Sequence, residues 1–114
     1  MKNLLLGILL FFIGQSLVWI QTNGQFVWPW IKKNPILVSF IGGTVISYTF
    51  IQATKYVVEY YDGQLWPGRF IGFSTGILAF TILTYFIMDE GINTKTLISL
   101  GLATALICVQ LFWK

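Results

Sequence analysis

The chain has 114 residues, 56% hydrophobic and only 10% charged, with a net charge of +3 and a mean hydropathy of +0.77. A soluble domain carries about a quarter charged residues, so a water-soluble globule is excluded. With no histidine and a single cysteine, Cys108, intrachain disulfides, zinc sites and histidine-based catalysis are excluded as well.

Four apolar stretches, near residues 3–21, 35–58, 67–88 and 96–113, fill almost the whole chain. Each approaches the roughly 20 residues that a membrane-spanning helix needs. The expected architecture is therefore an all-α integral membrane protein, one four-helix transmembrane domain over residues 1–114, with no room for a second domain.

The first stretch begins like a signal peptide, with Lys2 before an apolar run and small residues at Gly14 and Ser16. Leu17-Val18-Trp19-Ile20 carries the run past any cleavage point, so the stretch is expected to stay as a span. Gln15 lies near its middle. Lipid offers no hydrogen-bond partner there, so Gln15 should face inward and bond across helices. The connection that follows mixes Trp28, Trp30, Lys32 and Lys33, a pairing suited to the membrane interface. Pro35 should open the second helix, where its missing N–H costs nothing.

In the second stretch Ser47, Tyr48 and Gln52 are candidates to line the bundle interior, and Ser39, Gly43 and Ser47 form a small-residue row at every fourth position. Lys55 and Glu59 share a helical face, read as a solvated helix end. A second aromatic connection runs from Glu59 to Pro67, and Arg69 follows Trp66-Pro67-Gly68 just inside the third stretch. An arginine at this depth either anchors an anion or snorkels to the interface, pairing with Glu59 or Asp62, and snorkelling is the favoured expectation. Gly68, Gly72 and Gly76 give the clearest spacing in the chain, two overlapping G-x-x-x-G units that let another backbone approach closely. Ser74 and Thr75 add polar groups on the same helix.

The third connection, Asp89-Glu90-Gly91-Ile92-Asn93, offers Gly91 as a C-cap and Asn93 or Thr94 as an N-cap. The fourth stretch is apolar apart from Ser99, Thr104 and Gln110. Gly101 and Ala105, four apart, permit a close helix pair, with a lipid-facing helix as the competing reading. Connections this short make neighbouring helices antiparallel, which predicts an up-down bundle with both termini on one side. Lys2, Lys55, Arg69 and Lys114 stand on that side against Lys32, Lys33 and Lys95 on the other. The margin favours cytoplasmic termini in an inner or plasma membrane only slightly, and leaves insertion in both directions open. The basic residues form no face for nucleic acid; the lipid bilayer is the expected partner.

Ile13-Gly14 followed by Trp28-Pro29 is similar to the first third of small multidrug resistance proteins. Ser47-Tyr48 through Gln64-Leu65 and Arg69 to Asp89-Glu90 resembles uncharacterised four-helix proteins of the drug/metabolite transporter (DMT) superfamily. The glutamate after the third helix and the last helix with Gly101 and Ala105 resemble that superfamily too. The resemblance implies a homodimer in which the first three helices form a substrate chamber and the fourth pairs with its copy. It also implies a glutamate in the middle of the first helix; here that place is Phe11. Without a titratable anion at the midplane, proton-coupled exchange of lipophilic cations does not carry over.

These readings lead to a small DMT-like transporter or carrier, a homodimer that is antiparallel if the chain inserts both ways, moving a neutral or anionic metabolite or lipid-like molecule. Arg69 would anchor the polar part, Gln15 and Tyr48 would hydrogen-bond, and Trp19 and Trp66 would supply apolar surface. The alternative is an accessory subunit that packs against a larger membrane complex through the glycine face of the third helix. No nucleophile–base or metal constellation is visible, so neither an enzyme nor a cofactor is expected.

Overall fold

The computed structural model describes residues 1–113; Lys114, counted above among the basic residues, lies outside them. The described residues are all-helical, with no strand. The helices are α1 (Lys2–Asn23), the short α2 (Pro29–Lys33), α3 (Pro35–Tyr60), α4 (Trp66–Ile87) and α5 (Thr94–Phe112), with a 3-10 turn at Gly24–Phe26. Four of them, α1, α3, α4 and α5, are long and apolar enough to cross a membrane.

Proline punctuates the chain. Pro29, Pro35 and Pro67 each stand in the first two positions of a helix, where the backbone N–H has no intrahelical partner to lose. Pro29 also turns part of the first connection into the one-and-a-half-turn helix α2, which reading that segment as a plain connection had missed. Asn93 caps α5 through its side-chain oxygen, which accepts from the Thr96 N–H at 2.8 Å.

Just past the caps of α3 and α4 the chain turns through a left-handed aspartate. At the end of α3, Asp62 is left-handed (φ 56°), the Gly63 N–H reaches Val58 O at 2.9 Å and the Asp62 N–H reaches Glu59 O at 3.4 Å. This is the paired bonding of a Schellman cap. At the end of α4 the expected Gly91 cap gives way to Met88 and a left-handed Asp89 (φ 57°). The helix stops earlier than the glycine suggested, and aspartate tolerates the left-handed region well enough to take the turn.

α1 is the centre of the molecule. It packs along α3 on one side and along α4 on the other, whereas α3 and α4 barely meet and α5 leans mainly on α4. The molecule is accordingly flat, 47 × 36 × 18 Å. Contacts of α1 with α3 run in opposite chain senses, from Gly7 against Val57 through Gly14 against Phe50 to Gln21 against Gly42. Contacts with α4 run in the same sense, from Phe11 at Gly72 through Gln15 at Gly76 to Trp19 at Thr84. Phe11, Ala53, Val57 and Ile71 form the buried core where the three helices converge, with Tyr61 packed at its edge. Burial, and then the neighbouring Tyr60, push the Tyr61 phenol above its ordinary 10.

Small residues decide these approaches. A methyl added at Gly7 would run into the Val57 side chain, with Ala53 O and Val57 N only 3.2 and 3.3 Å away. At Gly14 it would meet the Phe50 ring at 2.5 Å. The row expected on α3 is not the one in use: Gly43 has nothing within 4 Å and Ser39 and Ser47 are exposed, while Gly42 and Ala53 face α1. Gly42 and Gly43 differ by one residue, about 100° around a helix, enough to swap a packed face for an outer one. The outer hydroxyls of Ser39, Thr44 and Thr49 bond back to the carbonyls four residues earlier at 2.7–2.8 Å, which satisfies them where lipid offers nothing.

Candidate functional site

The splay between α3 and α4 leaves a groove of about 630 Å³ over α1. That volume lies within the range of roughly 300–1,000 Å³ common for small-molecule sites. α1 forms its floor with Phe11 and Gln15, α3 one wall with Phe50 and Thr54, and α4 the other with Arg69, Phe73, Ile77 and Phe80; Leu65 stands at one end.

Arg69 sits one turn inside α4, in the lining of the groove and exposed. Among the described residues no carboxylate lies within 4.0 Å of it. Glu59, one partner expected for it, instead accepts from the Asn3 side-chain amide at 3.4 Å. The Lys55 ammonium stands 5.8 Å from the centre of the Tyr56 ring. Arg69 is the single charged group in the groove lining, so the groove carries a positive end and an aromatic body.

Gln15 occupies the middle of the floor. Its Nε2 donates to Gly72 O at 3.0 Å, across the α1–α4 contact. Its amide lies where a side chain on Gly76 would have to go, 3.0 Å from a methyl built there. A methyl built on Gly72 would likewise meet the Phe11 ring at 3.2 Å, and one on Gly68 the Val57 side chain at 3.6 Å. The glycine row of α4 is thus filled from within the chain by α1 and α3. Phe11 and Gln15, four apart on one face of α1, occupy both α4 glycine notches and still edge the groove.

The structure brings together only two of the five residues singled out for substrate contact, Arg69 and Gln15. Trp19 is 3% exposed and braces α1 against α4, its Nε1 donating to Thr84 Oγ1 at 2.9 Å. Tyr48 lies on the exposed outer face of α3 and Trp66 stacks on Phe70 at 6.0 Å; neither lines the groove. Gly101 and Ala105 sit on an exposed face of α5, with nothing within 4 Å of Gly101.

Sequence reading missed Thr54 and the four groove phenylalanines, Phe11, Phe50, Phe73 and Phe80, as lining residues. In a chain with 10 phenylalanines, only the splay of the helices distinguishes these four. It also missed any contact for Gln21, the end of the first apolar stretch, which stands in the last turn of α1 with its Oε1 buried beside Gly42 without a hydrogen-bond donor. Comparison with protein-family models, curated proteins and solved structures finds no match.

Proposed function

We propose that the chain is a small membrane transporter or carrier, similar in plan to the four-helix DMT proteins, that moves a neutral or anionic metabolite or lipid-like molecule through the groove over α1. The observation that carries this reading is Arg69, a cation without a carboxylate partner among the described residues, lining a groove of small-molecule size one turn inside a helix apolar enough to cross a membrane. An arginine this close to the end of a span keeps its head at the interface, where an unpaired guanidinium can receive an anion. Phe11, where the resemblance implies a glutamate, also lines this groove. In a chamber of that kind, an aromatic ring at this place and an arginine at the groove's end would turn the selectivity from cations toward anions.

The four spans are proposed to form an up-down bundle with both termini on one face of the membrane. The opposite contact senses along α1 and α3, and the matching senses along α1 and α4, support it. The groove is open on one side, and a homodimer paired through the exposed Gly101 and Ala105 face would supply a further wall. An accessory subunit is the second reading. It has to dock through a surface other than the α4 glycine row, which Phe11, Gln15 and Val57 already occupy.

The test is the topology and self-association of the full chain in a bilayer, using C-terminal reporters on both sides and cross-linking through the exposed Cys108. Self-crosslinks with termini on both sides support an antiparallel dimer; self-crosslinks with termini on one side support a parallel one. A single orientation with no self-association removes the homodimer and favours the accessory reading.

A further inference from the structure

The groove has a direction. Arg69 lies one turn below Trp66, at the end of α4 where an aromatic ring belongs at the head-group level. Phe80 stands 11 residues beyond Arg69, about 16 Å deeper along a helix. Between them Phe73, with Phe50 opposite, keeps the wall apolar and aromatic. Charge is confined to the interfacial end and apolar surface extends toward the bilayer centre. Phe73 and Phe80 are 45% and 53% exposed, so the groove opens sideways.

We infer that this groove seats a single-chain anionic amphiphile drawn laterally from the bilayer, its phosphate or carboxylate head on Arg69 and its tail along Phe73 and Phe80. This names the substrate class of the carrier proposed above and rests on that reading's placement of the site. Charge complementarity selects the head: a guanidinium binds carboxylate or phosphate through paired N–H donors, and no other charged group in the lining competes. Shape selects the tail. A soluble anion would satisfy Arg69 and leave the aromatic length of the groove unfilled. An amphiphile places its head and tail at the depths they already occupy in the membrane, so neither is desolvated anew.

The experiment uses the full chain in phosphatidylcholine vesicles with a photoactivatable lysophosphatidate carrying a diazirine in its acyl chain. The comparison probe is the monoacylglycerol with the same chain, which lacks only the phosphate. Label is expected on the α4 segment 73–80 and on Phe50, about tenfold more from the phosphate probe than from the neutral one, the loss a charge-assisted contact of this kind implies. Arg69→Ala should bring the phosphate probe down to the neutral level, and Arg69→Lys should keep most of the label. Thr54→Trp, which fills the groove without touching the charge or the helix packing, should remove the label even if Arg69→Ala fails to fold.

Equal labelling by the two probes would reduce Arg69 to an interfacial anchor and overturn the inference, as would label spread evenly over α3 and α5. Displacement of the label by soluble glycerol 3-phosphate would assign the site to a free anion instead. Transport is scored separately, as protein-dependent movement of a fluorescent lysophosphatidate between leaflets. Groove labelling without movement keeps the occupant and removes the carrier. Protein-dependent uptake of a soluble anion without groove labelling does the reverse.

Discussion

Two pairs of small residues at helical spacing of four meet opposite fates. Gly72 and Gly76 on α4 are filled by the Phe11 ring and the Gln15 amide. Gly101 and Ala105 on α5 face outward, with nothing within 4 Å of Gly101. Both helices are apolar enough to cross a bilayer, so hydropathy does not separate them. In lipid, apolar surface gains little from meeting apolar surface, and helices associate through close backbone approach and interhelical hydrogen bonds. α4 offers both, with a glycine notch, a carbonyl at Gly72 and a hydroxyl at Thr84 that α1 can reach. On α5 the Ser99 and Thr104 hydroxyls bond back to their own helix, and no side-chain hydrogen bond among the described residues joins Gly101 or Ala105 to a facing helix. A small-residue pair is an opportunity, and a polar handle on the facing helix makes it a contact.

The largest effect that would sharpen this contrast belongs to the α1–α3 contact. Gly7→Ala should cost about 1–3 kcal/mol, the usual range for overpacking, because Val57 is backed by the α3 backbone and cannot swing away. The measurement is reversible unfolding in mixed micelles. An unchanged midpoint would mean that α3 shifts freely along α1 and that this contact does not organise the fold. Gly76→Ala should cost less, since the obstructing group is the movable end of Gln15, but it should also displace the Gln15–Gly72 hydrogen bond. Gly68→Ala, facing Val57 at an ordinary 3.6 Å, should stay within about 0.5 kcal/mol of the parent.

The polar handles come next. Trp19→Phe keeps an aromatic ring between α1 and α4, gives up part of the buried indole's packing and removes its bond to Thr84. Interhelical bonds of this kind average about 0.6 kcal/mol and reach about 1.7 kcal/mol. Thr84→Val should cost a similar amount, and the double variant little more than either alone, because the two changes delete one bond. Full additivity in that cycle would show that Trp19 acts through packing only.

Much of the fold was legible because lipid leaves few choices. Four runs of bilayer length, with Pro35 and Pro67 at helix starts and Asn93 ahead of the last, mark the spans in the sequence. The α4 glycine row and the inward turn of Gln15 were legible for the same reason: a G-x-x-x-G row and a lone amide in hydrocarbon each require a neighbour. Gly7 and Gly14, seven apart on α1, carried no such local signal, since their meaning depends on which α3 residues lie opposite. The choice of Gly42 over Gly43 turns on helix rotation, which hydropathy does not report. Of the candidate site, Arg69 and Gln15 were legible as ionisable or polar residues in an apolar setting. The groove itself was not, because its walls come from three helices and its volume from their splay.

The smallest effect on the fold should come from α5, and it is the sharpest test of the contrast. Gly101→Leu adds a bulky side chain where nothing lies within 4 Å, so the stability of the single chain should change by less than about 0.5 kcal/mol, as for surface substitutions generally. If this face pairs with a second copy, the same substitution holds the two backbones apart and abolishes Cys108 self-crosslinking, Cys108 being exposed on the same helix. Ser99→Leu, also exposed on α5, controls for bulk alone. Loss of crosslinks with Gly101→Leu but not with Ser99→Leu would make the open notch on α5 the intermolecular counterpart of the filled notch on α4. Unchanged crosslinks in both would mean that a notch without a polar handle stays a lipid-facing surface, and the contrast between the two helices would then hold between molecules as it does within one.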